Sequence, residues 1–162
     1  VASNDSTAIF YGDFVKMTSA GVVTLDTGTA TLTPIGVFMG CSYTDPNTKQ
    51  LTFSQFYPAS TVASDISAYV LNDPFVELRM QGDATLAQTA LGNNAAVVQT
   101  AGSTSIGRSK NSVDSSTIAT TNTLPVKIIE FIDGPDSAVG DGFTDVIVMF
   151  NVGHQLLNTT GI

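Results

Sequence analysis

The sequence predicts a mainly β protein: a single antiparallel β-sandwich or barrel-like domain over residues 1–162, with one short helix and extended polar arms. Short apolar runs rich in Val, Phe and Thr, residue types that favour strands, recur along the chain. Turn-forming Gly, Pro, Asn and Asp residues separate these runs, which gives roughly 8–10 strands. Only one window combines helical spacing of apolar residues with a cap at each end.

The first strands are predicted in the amino-terminal third. Residues 9–17 and 22–25 are apolar runs on either side of a glycine turn, which predicts a hairpin. Residues 35–43 predict a third strand, with Val37, Met39 and Cys41 on one face and Phe38 on the other. The glycines at 36 and 40 indicate a bulge or a close approach of another backbone.

A turn and an aromatic strand follow. Thr44-Asp45-Pro46-Asn47-Thr48 has strong turn chemistry, because Pro fixes φ and the Asp and Asn side chains bond the local backbone. Residues 51–57 then alternate as a strand that Pro58 ends.

The middle of the chain predicts two more strands and the helix. Residues 66–71 and 75–80 are strand-like runs joined by Asn72-Asp73-Pro74. Asp83 is the expected N-cap of a helix of about two turns over 84–91, and Gly92 is its expected C-terminal residue with positive φ. Such a short helix needs to dock on the sheet to be stable.

The last third carries the strongest strand signals. Residues 125–132 alternate, with Val126, Ile128 and Glu130 on one face. Residues 144–152 are almost continuously apolar, which predicts a strand in the centre of a sheet.

Two segments are short of apolar residues. They are the N-terminal segment 1–8 and residues 102–122, within a stretch of small polar side chains. The second segment is either a long surface loop or hairpin, or an extended arm that lies on a neighbouring subunit. Ile106, Val113 and Ile118 are the isolated apolar residues that can fix it in place.

The composition excludes several function classes. The net charge is −8, with only six basic residues spread along the chain, so we expect no nucleic-acid binding. No apolar run approaches the roughly 18 residues that span a membrane, and no signal peptide is expected.

No group of residues indicates catalysis, so we expect no enzyme activity and no cofactor. The single Cys41 lies in an apolar run and is expected to be a buried, inert thiol. The single His154 is expected at the surface and not as a base. The acidic loop from Asp133 to Asp145 contains four aspartates that can gather around Ca²⁺, but their spacing does not match an EF-hand. Turn aspartates that bond their own backbone are the commoner case, so no metal site is predicted.

An ordered set of short motifs resembles the decoration, or cement, proteins of tailed-phage capsids. The set covers most of the chain and consists of Ile35-Gly36-Val37-Phe38 with Cys41 to Tyr43, Phe53 to Pro58, Asp65 to Met80, Leu91-Gly92-Asn93-Asn94-Ala95, Gly107-Arg108-Ser109, Leu124-Pro125-Val126-Lys127-Ile128, and Asn151 with His154. The chain departs from the family pattern at Asn72 and in the polar arm around Arg108, Lys110 and Asn111.

The resemblance implies a structural virion protein without enzyme activity. It would bind the outer surface of an assembled phage capsid, commonly as a homotrimer, and clamp neighbouring major capsid subunits. We expect part of the trimer interface at Phe53, Phe56 and Tyr57, because aromatic residues are enriched in interface cores. We expect residues 1–8 and 102–122 to contact the capsid, because both segments are too poor in apolar residues to fold alone. Arg108 and Lys110 give the arm its only positive charge and are expected to add ionic contacts. The alternative is a carbohydrate-binding or adhesin-like β-domain on a virion or cell surface.

Overall fold

The computed structural model describes residues 1–151. In that part the protein is mainly β, and all pairs between its strands are antiparallel, as the sequence predicts. The eleven strands are β1 (Phe14–Met17), β2 (Val23–Leu25), β3 (Gly36–Thr44), β4 (Leu51–Ser54), β5 (Ser67–Leu71), β6 (Leu78–Gln81), β7 (Asn94–Ala95), β8 (Val97–Val98), β9 (Ser112–Val113), β10 (Val126–Phe131) and β11 (Asp145–Phe150).

Two larger sheets and one small ribbon contain these strands. The first sheet has the order β2-β1-β3-β4, and β5 pairs with β3 on its other side. The second sheet has the order β6-β11-β10-β7, and β8 and β9 form the ribbon. The hairpin β1–β2 and the central position of β11 are both confirmed.

Two clusters of buried side chains lie inside the protein. The first core cluster joins the two large sheets and consists of Phe14, Leu32, Val37, Met80, Leu86, Ala90, Ala95, Val97, Val113, Val126, Ile128, Val146, Val148 and Phe150. The second core cluster lies under the first sheet and consists of Ile9, Val15, Ile35, Phe38, Cys41, Tyr43 and Tyr57. Burial of this much apolar surface is the main favourable contribution to folding.

The predicted helix over 84–91 is wrong in extent. Only a short 3₁₀ turn, Gln88–Ala90, forms there, and a second one spans Ser115–Thr117. Asp83 does not cap a helix, since its Oδ1 accepts a hydrogen bond from the Ser115 N–H at 2.9 Å. Leu86 is fully buried in the first core cluster, so tertiary packing determines the conformation of this segment. Gly92 does adopt the expected positive φ, at 80°.

The segments before and after Asn72-Asp73-Pro74 do not form a hairpin. β5 belongs to the first sheet and β6 to the second, so the connection crosses between sheets. The Asp73 side chain accepts from the Phe75 N–H at 2.8 Å, which holds residues 73–76 in a turn and delays the start of β6 to Leu78. Strand pattern alone carries no information on which sheet a strand joins.

Bulges change which side chains of β3 and β10 are buried. The register of β3 against β5 shifts between Phe38 and Gly40, so Phe38 and Cys41 share the second core cluster while Met39 is exposed. The predicted common face of Val37, Met39 and Cys41 is therefore wrong. A similar shift between Ile128 and Glu130 leaves Glu130 exposed.

Candidate interaction surface

The three aromatic residues expected at a partner interface lie in different environments. The Phe53 side chain is 71% exposed on β4. The Phe56 ring is half-buried and stacks on the Phe10 ring, with centroids 5.5 Å apart and planes at 14°. Tyr57 is 0% exposed and its hydroxyl donates to the Asp5 carbonyl at 3.3 Å. The Phe53 side chain is therefore accessible to a partner, whereas the Tyr57 side chain is part of the core and is not.

The polar segment 102–122 is not an extended arm. Arg108 forms bridges to Tyr11 and to Ser103, and Ser109 donates its N–H to the Tyr11 carbonyl at 2.9 Å. Val113 is fully buried in the first core cluster, whereas Ile106 stays exposed. The segment is a surface loop that is fixed to its own domain, which agrees with the first of the two alternatives.

Arg108 and Lys110 remain accessible on this loop. Both side chains are exposed, and neither makes an ion pair within residues 1–151. Arg108 lines a groove of about 370 Å³ between the two large sheets, together with Tyr11 and Met39. Their charges can meet an acidic partner, but the backbone that carries them is already ordered.

The N-terminal segment is also docked on its own domain. The Asp5 carbonyl accepts from the Ser60 N–H at 2.6 Å, and the Asn4 N–H donates to the Thr61 carbonyl at 2.8 Å. Val1 packs against the second core cluster. Burial lowers the pKa of the terminal ammonium below its ordinary value of 8.0. Residues 1–8 are therefore not a free arm either.

The first sheet instead presents a face of exposed apolar side chains. Five residues on β3, β4 and β5 form this apolar outer face: Met39, Leu51, Phe53, Tyr69 and Leu71. Side chains of one face alternate along a strand, and the opposite positions here point into the second core cluster. The face is the largest group of exposed apolar residues that the strand pairing places side by side in residues 1–151.

Strand register brings these side chains together. Phe53 lies opposite Ser42, and Tyr69 lies opposite Gly40 on the other side of β3. The Tyr69 hydroxyl and Ser42 Oγ are 2.9 Å apart, which fixes the Tyr69 ring across the sheet. Met39, Phe53 and Tyr69 line one shallow depression of about 350 Å³.

Sequence reasoning found Phe53 but missed the rest of this face. Tyr69 and Leu71 lie in the strand predicted over 66–71, and their alternation with Ala68 and Val70 was the available signal. Met39 was assigned to the same face as Cys41, because the glycines indicate a bulge but not how it shifts the alternation of side chains.

The acidic loop is built by local hydrogen bonds. Asp141 Oδ2 accepts from the Ala138 N–H at 2.8 Å, and Asp145 forms an ion pair with Arg79 at 2.5 Å. In the described part of the chain, no three His, Cys, Asp or Glu side chains are arranged to hold a metal ion. His154 lies outside the described residues.

Cys41 is a buried thiol, as predicted. Burial raises its pKa to about 11, so the reactive thiolate is scarce at neutral pH. Its Sγ donates weakly to the Phe56 carbonyl at 3.7 Å. The environment is that of a packing residue and not of a nucleophile.

Comparisons with known proteins return no match among family models, curated proteins or solved structures. Among residues 1–151, none of the helical segments has the length and apolar character needed to cross a bilayer.

Proposed function

We propose that the protein decorates the outer surface of a phage capsid and clamps neighbouring major capsid subunits through its apolar outer face. The observation that carries the proposal is the concentration of Met39, Leu51, Phe53, Tyr69 and Leu71 on one side of the first sheet. Contiguous exposed apolar patches mark surfaces that bind other proteins. The ordered motifs that resemble capsid decoration proteins supply the identity of the partner.

The rest of the surface suits a protein that is displayed in many copies. The chain carries a net charge of −8, which keeps neighbouring copies soluble where they do not touch. Many copies on one shell also add avidity, so that each contact can be weak. The homotrimer implied by the resemblance belongs to the same proposal.

Binding through this face has a low ordering cost. The contact side chains stand on strands, and Tyr69 is further held by its bond to Ser42. Rigid groups lose less conformational freedom on association than loose segments do. This supports a contact by the sheet face, in place of the contacts by residues 1–8 and 102–122 that the sequence predicts.

The test is a decoration assay with capsid shells of the phage that encodes the protein, assembled without it. The wild type should bind to saturation on the outside of the shell. The double variant Phe53→Ser with Met39→Ser should bind at least about tenfold more weakly, because losing one well-buried apolar side chain costs about 1.5–3 kcal/mol. Phe143→Ser is the matched control, since Phe143 is also largely exposed but lies in the loop before β11.

The outcomes separate the function from the site. Absence of wild-type binding to the shells would refute the decoration function. Equal binding by the double variant and the Phe143 control would refute the proposed face and place the contact elsewhere on the protein.

A further inference from the structure

Strand β4 is an open edge of the first sheet. It pairs with β3, and no other strand in residues 1–151 pairs with it. Natural proteins usually protect such edges with charges, prolines or bulges. Leu51–Ser54 contains none of these, and its pairing with β3 has no register shift.

The unpaired backbone groups of this edge can be identified from the ladder. The Asp45 N–H donates to the Gln50 carbonyl at 2.9 Å and the Asp45 carbonyl accepts from the Lys49 N–H at 2.9 Å, so the first hydrogen-bonded position of the ladder is at Asp45. Hydrogen-bonded and non-hydrogen-bonded pairs alternate along an antiparallel ladder. Leu51 and Phe53 are therefore in non-hydrogen-bonded pairs, and their N–H and C=O groups point away from β3.

The opposite side of β3 agrees with this assignment. Thr44 is paired with Leu51, so its N–H must also point away from the β3–β4 ladder. It does, because it donates to the Asp65 carboxylate on the far side of β3, at 3.0 Å.

We infer that two copies of the chain join their first sheets by antiparallel pairing of β4 with β4, around a two-fold axis at Thr52. In this register Leu51 of one copy lies opposite Phe53 of the other, on both sides of the axis. Each such pair exchanges two backbone hydrogen bonds, about four in all. The contact uses the same surface on both copies, as two-fold interfaces do.

The sequence of the edge complements itself in this register. Leu51 is 62% and Phe53 71% exposed, and both point to the apolar outer face, so each packs against its counterpart across the joint. Farther out, Gln50 meets Ser54, whereas Lys49, with a φ of 60°, and Gln55 lie outside the extended strand. No like charges oppose each other, so nothing in residues 49–55 repels a second copy.

The pairing has a consequence for shell binding, and this consequence alone rests on the proposed function. The two-fold axis is perpendicular to the sheet, so both apolar outer faces remain on the same side. The pair would present one continuous face of doubled area to the shell. Two-site attachment raises the effective concentration of the second contact.

The experiment is sedimentation equilibrium of the purified protein, without shells, up to about 1 mM, a concentration comparable to that of tethered sites. The smallest unit of the wild type is a single chain or the proposed trimer, and two such units should associate. The variant Leu51→Lys with Phe53→Lys should weaken this association at least about tenfold, because it sets like charges opposite each other on both sides of the axis. The variant Leu51→Glu with Phe53→Glu should behave in the same way.

Mixing the two variants tests the register. The lysine and glutamate proteins should associate with each other in a one-to-one ratio, and this association should weaken as salt is added. A protein with Phe75→Lys and Phe143→Lys carries the same added charge at exposed positions outside β4, and should associate like the wild type.

Each alternative result overturns the inference. No association of the wild type at 1 mM means that the edge does not pair with itself. Pairing of units that survives the lysine substitutions places the paired interface elsewhere, whereas a trimer made by another surface is itself the unit and is expected to survive them. Shell binding by a protein that never self-associates refutes the pairing and leaves the proposed function standing.

Discussion

Gly36→Ala should weaken the pairing between β3 and β5. These two strands together carry Met39, Tyr69 and Leu71 of the apolar outer face. An added Cβ at position 36 would lie 2.2 Å from the Leu71 carbonyl oxygen, whereas real Cβ contacts stay above about 3.0 Å. The two strands would have to separate by about 0.8 Å at this point. Overpacking of this kind costs about 1–3 kcal/mol, and the stretched ladder adds about 1 kcal/mol.

The expected loss is therefore about 3 kcal/mol in the free energy of unfolding, measured by urea denaturation monitored by circular dichroism. Gly142→Ala is the control, because nothing lies within 4 Å of its added Cβ. It should change the free energy of unfolding by less than about 0.5 kcal/mol. Equal stabilities of the two variants would show that β3 and β5 are not packed as closely as the structure has them.

Two further predictions concern the buried carboxyl and the docked N-terminus. Burial raises the pKa of Asp13, although hydrogen bonds from Ser109 and the Phe10 N–H act in the other direction, so the protonated form favours folding. Protonated Asp13 stabilises the folded protein fully below pH 3.8, the ordinary pKa of an aspartate. This stabilisation is lost as the pH rises through the raised pKa of Asp13 in the folded state. The free energy of unfolding of Asp13→Asn should therefore increase relative to that of the wild type between pH 3 and 7. Denaturation curves of both proteins at each pH measure this difference, and a difference that does not change with pH would contradict the prediction. Deleting residues 1–8 should lower the free energy of unfolding by about 3 kcal/mol, since it removes the backbone bonds to Ser60 and Thr61 and the acceptor of the buried Tyr57 hydroxyl. Thermal and urea unfolding curves that match those of the full chain would show that the segment is not docked.

The parts of the fold that local patterns determine were predictable. The hairpin β1–β2 follows from two apolar runs around Gly21, and the central position of β11 follows from its apolar run. Gly36 and Gly40 were recognised as positions of close approach or bulging, and both occur: Leu71 approaches Gly36, and Gly40 has a φ of 131°.

The errors have two physical causes. A bulge shifts the alternation by one residue, and its position depends on the partner strand, so Met39 was assigned to the wrong face of β3. Tertiary contacts also override local propensity, as at Leu86, whose burial replaces the expected helix by an extended segment and one 3₁₀ turn.

The candidate site was only partly predictable for a related reason. Phe53 is aromatic and lies in the strand that Pro58 ends, so it was found from the sequence. Residues 1–8 were expected to be an arm, and residues 102–122 either a surface loop or an arm, because their side chains are mostly small and polar. They dock chiefly through backbone groups, as in the bonds of Asn4 and Ser109, and backbone bonding leaves no side-chain signature.

The docking of these two segments changes the expected mechanism of binding. A free arm pays for its ordering only when it meets a partner, and many new backbone bonds must then form. Here the backbone bonds of Asn4, Asp5 and Ser109 are already made within the domain. A partner therefore meets a surface that is ordered beforehand, in which the side chains of the apolar outer face and the backbone edge of β4 are the available groups. Side-chain burial on the face and strand pairing at the edge use different atoms of Leu51 and Phe53, so one strand can contact the shell and a second copy at the same time.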